Sequence, residues 1–170
     1  MAGLTSGAEW FKIPPSQRKE KTAAIKFYVQ EPRTGPDAAL TEVCGGKDTA
    51  NSPTLFSKVF VVNAKLTAEA DRNSAEVGFA QGLVTSADKV QAGLAMNVNV
   101  LFTTGEYKGS TISIVGRNLG MEIPDRELAI VGGTGMFRMA KGFAISNTYS
   151  HDPVENYMIF EYTLYVCYYE

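Results

Sequence analysis

The stretch Gly93-Leu94-Ala95-Met96-Asn97-Val98-Asn99-Val100-Leu101-Phe102 decides the fold. Its even positions hold Leu94, Met96, Val98, Val100 and Phe102, while Asn97 and Asn99 stand on the odd face. Alternation at period two is the mark of a strand with one buried face and one wetter face. The end of the chain repeats the pattern. Met158, Phe160, Tyr162, Leu164, Val166 and Tyr168 share one side, and a mixed set from Tyr157 to Cys167 shares the other.

Working outward, further strands are expected at Ala24–Glu31, Leu55–Asn63, Ala75–Thr85, Thr111–Gly116, Leu128–Val131 and Arg138–Tyr149, which makes eight in all. Turn residues separate them at Ala70-Asp71-Arg72-Asn73 and Thr104-Gly105-Glu106. Gly132-Gly133-Thr134-Gly135 reads as a tight turn, since it lacks the helix and the Lys-Ser/Thr ending of a phosphate loop. No amphipathic helix is evident. A many-stranded chain without helices closes into a barrel or forms a sandwich, because both manage exposed sheet edges. Residues 1–20 read as an extended leader, with Trp10, Phe11 and Ile13 to pin it, and residues 21–170 read as one barrel domain. Pro32 to Pro53 reads as a long lid-like or disordered connection.

Composition narrows the function. The 170 residues carry a formal charge of -2, so no basic field is present to hold nucleic acid or an acidic membrane. No apolar run is long enough to span a bilayer. Met1 to Pro15 is not a signal peptide, and if Met1 is the natural start a cytoplasmic protein is expected. Cys44 and Cys167 form no CxxC pair, and a lone His151 in a turn offers neither a triad nor a zinc set. No metal and no cofactor is expected.

From Gly78 onward the chain resembles the dirigent proteins of plants. Gly78-Phe79-Ala80-Gln81-Gly82 is similar to the family's Gly-x-Ala-Gln-Gly segment. Tyr107-Lys108-Gly109-Ser110-Thr111 with Gly116-Arg117-Asn118 is similar to its hairpin motif. Arg126-Glu127-Leu128 through Val131-Gly132-Gly133-Thr134-Gly135-Met136-Phe137-Arg138-Met139-Ala140-Lys141-Gly142 resembles its most distinctive stretch. The absent secretion signal looks most like the dirigent domain of monocot chimeric jacalins. The resemblance implies a closed eight-stranded antiparallel β-barrel, usually a trimer. It also implies a pocket holding acids and an arginine, which steers phenoxy radicals made by a separate oxidase or promotes quinone methide cyclisation. Two family aspartates are matched by Glu31 and Glu127, so each charge moves by one methylene, a scale to which reactive geometry is sensitive.

The expected site follows. Arg138, Ala140, Gly142, Ala144, Ser146 and Thr148 form a face of small residues with a polar group at each end, which leaves room for a ligand if it faces the lumen, or for a neighbour if it does not. Glu31 continues the apolar face of Ile25, Phe27 and Val29 toward the barrel mouth. Glu127 is expected to meet Arg138 across the glycine turn, as a structural ion pair or as part of the site. Tyr107 is expected to stack or donate there, or to be a half-buried edge aromatic. Glu31, Tyr107, Glu127, Arg138 and Thr148 are therefore expected to converge on one pocket, with Glu31 and Glu127 as acid or base if there is chemistry.

Three functions compete. Carboxylates, an arginine and aromatics suit a hexoside, and a cytoplasmic barrel has no obvious access to cell-wall radicals, so defence-linked carbohydrate binding is favoured. The second is the family's own chemistry on monolignol radicals or quinone methides. The third is an oligomerisation scaffold for a fused jacalin-type lectin. A homotrimer is expected throughout, with a small molecule or oligosaccharide as ligand in the first two.

Overall fold

The computed structural model describes residues 18–170. Nine strands follow in chain order: β1 (Glu20–Pro32), β2 (Leu40–Cys44), β3 (Val59–Thr67), β4 (Glu76–Ser86), β5 (Gly93–Phe102), β6 (Thr111–Leu119), β7 (Arg126–Thr134), β8 (Lys141–Asp152) and β9 (Tyr157–Tyr169). All pairings are antiparallel. β3 through β9 run as neighbours in chain order, and β1 pairs with β9 along its whole length, from Glu20↔Tyr169 to Pro32↔Tyr157.

Closure depends on β3. Its end pairs with β1 at Tyr28↔Thr67, Val29↔Leu66 and Gln30↔Lys65, so eight strands form a closed barrel. The start of β3 runs on past β1, and there β2 takes over the same edge at Leu40↔Val62 and Thr41↔Val61. A barrel has no free edge to satisfy, and β2 extends that closure toward one rim.

The buried face is the one that period two selects. Val98, Val100 and Phe102 of β5 face inward with Met158, Phe160, Tyr162, Leu164, Val166 and Tyr168 of β9. The two ends of the barrel differ. At the end of β5, β7 and β9, Phe137 is fully buried and packs against Tyr107, Tyr168 and Phe102, with ring centroids 4.9, 5.4 and 5.7 Å away. This aromatic plug closes the floor. Gly135 makes the turn that delivers Phe137. Its φ is +62°, and a Cβ there would stand 2.5 Å from Ser110 Oγ, so glycine is required. The opposite end is open. It gathers the end of β1, the start of β3, the end of β4, the start of β5, the end of β6 and the start of β7.

The observed elements depart from the sequence expectation in several places, β3 among them, which runs Val59–Thr67 rather than Leu55–Asn63. The Pro32–Pro53 connection is not an unstructured loop, since it contains β2 and a 3-10 turn at Thr49–Asn51. β7 is longer than Leu128–Val131 and begins at Arg126. The glycine run is not a tight turn, because Gly132 and Gly133 lie inside β7 and only Gly135 opens the 3-10 turn that follows. Glu20 already belongs to β1, and the expected contacts of Trp10, Phe11 and Ile13 lie outside the described residues. Cys44 and Cys167 are free thiols.

Candidate functional site

A cavity of about 430 Å³ opens at the unplugged end of the barrel. Its wall is mostly apolar: Phe27, Val29, Val62, Val84, Met96, Val98, Ile114 and Phe160 all line it. The polar side chains in that wall include Glu31, Asn118, Glu122, Arg126 and Tyr162.

Glu31 ends the inward face of β1, following Phe27 and Val29 at period two. It is 9% exposed, and burial pushes its carboxyl above the ordinary 4.5. Arg33 opposes that shift without reversing it. Its Nε and Nη2 both reach Glu31 Oε1 at 2.7 Å, so both grip the same carboxylate oxygen. The neutral acid and the carboxylate are thus brought closer in free energy than at a solvated glutamate.

Arg126 begins β7 and shares the inward face with Leu128 and Ile130. Only 4% of it is exposed. Its Nη1 donates to the carbonyls of Ile123 at 2.6 Å and Met121 at 3.1 Å. Its Nη2 donates to Thr148 Oγ1 at 3.2 Å and, more weakly, to Ser146 Oγ at 3.4 Å. The guanidinium lies 5.9 Å from the Phe160 ring centroid. Its Nε has no hydrogen-bond partner, and no carboxylate pairs with this cation among the described residues. Burial lowers its pKa, yet an arginine stays charged at any working pH. The cation is held by carbonyls and hydroxyls, and Glu122, which lines the same cavity, favours its charge without an ion-pair contact.

Asn118 of β6 lines the same cavity at 8% exposure. Tyr162 of β9 lies deeper, and burial raises its phenol pKa while Ser146 acts against the shift. Tyr162 pairs in register with Phe27 on one side and Ser146 on the other, and Ser146 pairs with Arg126. Arg126 is therefore level with Phe27 across β8 and β9, and Glu31 stands four residues further along β1 toward the mouth.

Of the five residues expected to converge, the structure brings two to the mouth. Glu31 lines the cavity, and Thr148 reaches it through Arg126. Tyr107 belongs to the aromatic floor at the opposite end, where burial and Glu106 push its pKa up to about 12. Arg138 follows the 3-10 turn at that same end. Glu127 is exposed on the outer face of β7, opposite Ile145. The length of β7 separates Glu127 from Arg138, so they do not meet across a glycine turn. The small-residue face of β8 does turn inward, with Ala144 and Ser146 fully buried.

The sequence reading does not single out Arg126 and Asn118, although both lie in the motifs that carry the resemblance. A strand that starts at Leu128 leaves Arg126 in a loop and makes Glu127 the prominent acid. Period two extended back from Ile130 and Leu128 lands on Arg126 and excludes Glu127.

The comparisons agree with this barrel. The family model for dirigent-like proteins matches residues 22–167. Dirigent protein 23 of Arabidopsis thaliana is 47% identical over 135 residues, covering 79% of this chain and 72% of the relative. Pterocarpan synthase 1 of Glycine max is 38% identical over 152 residues, covering 89% and 82%. A solved pterocarpan synthase dirigent protein superposes with a TM-score of 0.82 at 39% identity, covering 89% of this chain and 87% of that one. With the sequence motifs, the barrel and the likeness all in accord, the chain belongs to the dirigent-like protein family.

Proposed function

We propose that this barrel binds a phenolic quinone methide and directs its stereoselective ring closure. The observation that carries the reading is a buried cation, Arg126, and a buried carboxylate, Glu31, in the wall of one mostly apolar cavity of about 430 Å³. A hexoside offers hydroxyls all round its ring and needs a wall rich in polar partners. This wall suits flat aromatic rings with oxygen at their ends. The likeness to two proteins called pterocarpan synthases supports the same direction.

The chemistry needs no oxidant. A hydroxyl oxygen of the substrate attacks the exocyclic methide carbon and a C–O bond forms. The electron pair of the methide double bond moves through the ring onto the carbonyl oxygen, which becomes a phenolate. Arg126 donates to that oxygen as its charge grows, a contact that strengthens toward the transition state. Glu31 Oε2 takes the hydroxyl proton, and the proton returns to the phenolate, so the product is an isomer of the substrate. The chiral wall of the barrel holds one face of the methide toward the nucleophile. Coupling of two p-hydroxycinnamyl radicals also leaves quinone methides, so the same groups serve a product formed with a separate oxidase.

The test uses two reactions and one titration. A hydroxylated isoflavonoid quinone methide precursor, and coniferyl alcohol with a one-electron oxidase, are each run with and without the protein. The enantiomeric ratio of the products is then measured. Enrichment in either supports the reading, and racemic products in both, with tight binding of an oligosaccharide, overturn it.

We also propose self-association through the outer face of β8 and β9. Phe143 stacks on Tyr165 with centroids 4.9 Å apart, and Met139, Phe143, Tyr149 and Tyr165 are all exposed. Large exposed apolar side chains on one sheet face mark a contact surface.

A further inference from the structure

Two residues that line the cavity each keep one buried polar atom without a partner: Arg126 Nε, which is a donor, and Asn118 Oδ1, which is an acceptor. Their residues lie on adjacent strands. β6 and β7 pair in register as far as Val115↔Ala129 and then part. Counting that register onward sets Asn118 opposite Arg126, so the donor and the acceptor belong to one corner of the wall. The amide orientation of Asn118 is fixed by its other contact. Nδ2 donates to Met96 Sδ at 3.1 Å, and a thioether accepts but never donates, so the oxygen is the free end. Leaving such groups unanswered in a dry site costs free energy, and native interiors rarely do so without a reason.

We infer that Arg126 and Asn118 form a hydroxyl-recognition corner, which reads one free phenolic O–H of the ligand and rejects its alkyl ether. A phenol oxygen has the lone pair that Arg126 Nε–H asks for and the hydrogen that Asn118 Oδ1 asks for. An ether supplies the first and not the second, and its methyl group occupies the space of the missing hydrogen bond. The inference rests on the phenolic reading above and deepens it. Asn118 is therefore a specificity-determining residue. Nothing in the sequence motif alone distinguishes this role from that of an ordinary strand asparagine.

The experiment uses trans-4-hydroxystilbene and trans-4-methoxystilbene, two fluorescent probes that differ only in the hydroxyl hydrogen. Each is titrated into the wild-type protein and into Asn118→Leu, with melting curves recorded for both proteins. The wild type is expected to hold the phenol at least about tenfold tighter than the ether, the value of one hydrogen bond with its desolvation. In Asn118→Leu the phenol is expected to weaken by about that factor and the ether to hold, so that the ratio falls to near one. The variant should melt no lower than wild type, because an unsatisfied acceptor is replaced by an apolar group of similar size. A wild-type ratio near one overturns the inference without recourse to the variant and leaves the phenolic cavity standing. A ratio that survives in Asn118→Leu overturns it as well. If neither stilbene binds the wild type, the phenolic reading itself is lost, and this inference goes with it.

Discussion

Arg126 Nη2 donates to Thr148 Oγ1 at 3.2 Å, and Thr148 passes its own hydroxyl hydrogen to the Met121 carbonyl at 2.7 Å. Arg126 Nη1 reaches the same Met121 carbonyl at 3.1 Å. Thr148 thus fixes both the guanidinium and the loop that supports it. Thr148→Val should cost about 1 kcal/mol in chemical denaturation, the worth of a partly exposed hydrogen-bond pair. Affinity for a phenolic ligand should fall with it, and Thr148→Ser should restore both. A Val variant with wild-type affinity would separate Thr148 from the site.

Removing Arg126 should affect stability and function differently. Arg126 donates to the Met121 and Ile123 carbonyls and to the Thr148 hydroxyl, and abandoning such acceptors costs about 1–3 kcal/mol. Arg126→Met is therefore expected to fold with a lowered melting temperature. Its stereoselectivity should disappear, because the growing phenolate charge loses its donor. Chiral chromatography of the ring-closed product reads the second effect, and retained enantiomeric enrichment would sink the assigned role.

Glu31 carries a pH signature with a definite sign. Burial raises its pKa in the folded protein above 4.5, so between 4.5 and the raised value the folded state binds more protons than the unfolded state. Unfolding free energy therefore falls as pH climbs through that window. Glu31→Gln lacks the titration, so the difference between wild type and variant should shrink or reverse toward low pH. As the proton acceptor, Glu31 also predicts turnover that rises with pH across the same window and collapses in Glu31→Gln. A flat wild-type turnover profile would remove it from the chemistry.

The aromatic floor predicts the opposite combination. Phe137→Ala empties a fully buried site between three other rings and should cost about 3–5 kcal/mol. Tyr107→Phe keeps the ring and should leave ligand affinity at the far mouth unchanged. Guanidinium titrations and ligand titrations on the two variants check both statements.

Phe143→Glu places a charge in the exposed apolar stripe of β8. If copies of the chain meet there, sedimentation of the variant should show a smaller species than the wild type at the same micromolar concentration. An identical distribution, monomeric in both, would discard self-association through this face.

The alternation of Gly93 to Phe102 and Met158 to Tyr168 was enough to assign strands and their buried faces. Side-chain direction reverses at every residue of a strand, so a purely local pattern carries that information. The family was legible for a similar reason, since the glycine-rich stretch around Gly135 answers a local backbone demand. The site was not legible to the same degree. Glu31 was found because it continues an apolar face on its own strand. Arg126 was missed because its face depends on where β7 begins, and Tyr107 and Arg138 were misplaced because the sequence does not say which end of a barrel a turn occupies. That assignment follows from strand pairing across the whole sheet: the β1–β3 closure, the long β1–β9 ladder and the Phe137 plug together decide which rim is floor and which is mouth. Strand faces are set by neighbours one residue away, whereas the meeting of Glu31, Asn118 and Arg126 at one mouth is set by residues nearly a hundred positions apart, and only the folded barrel brings them together.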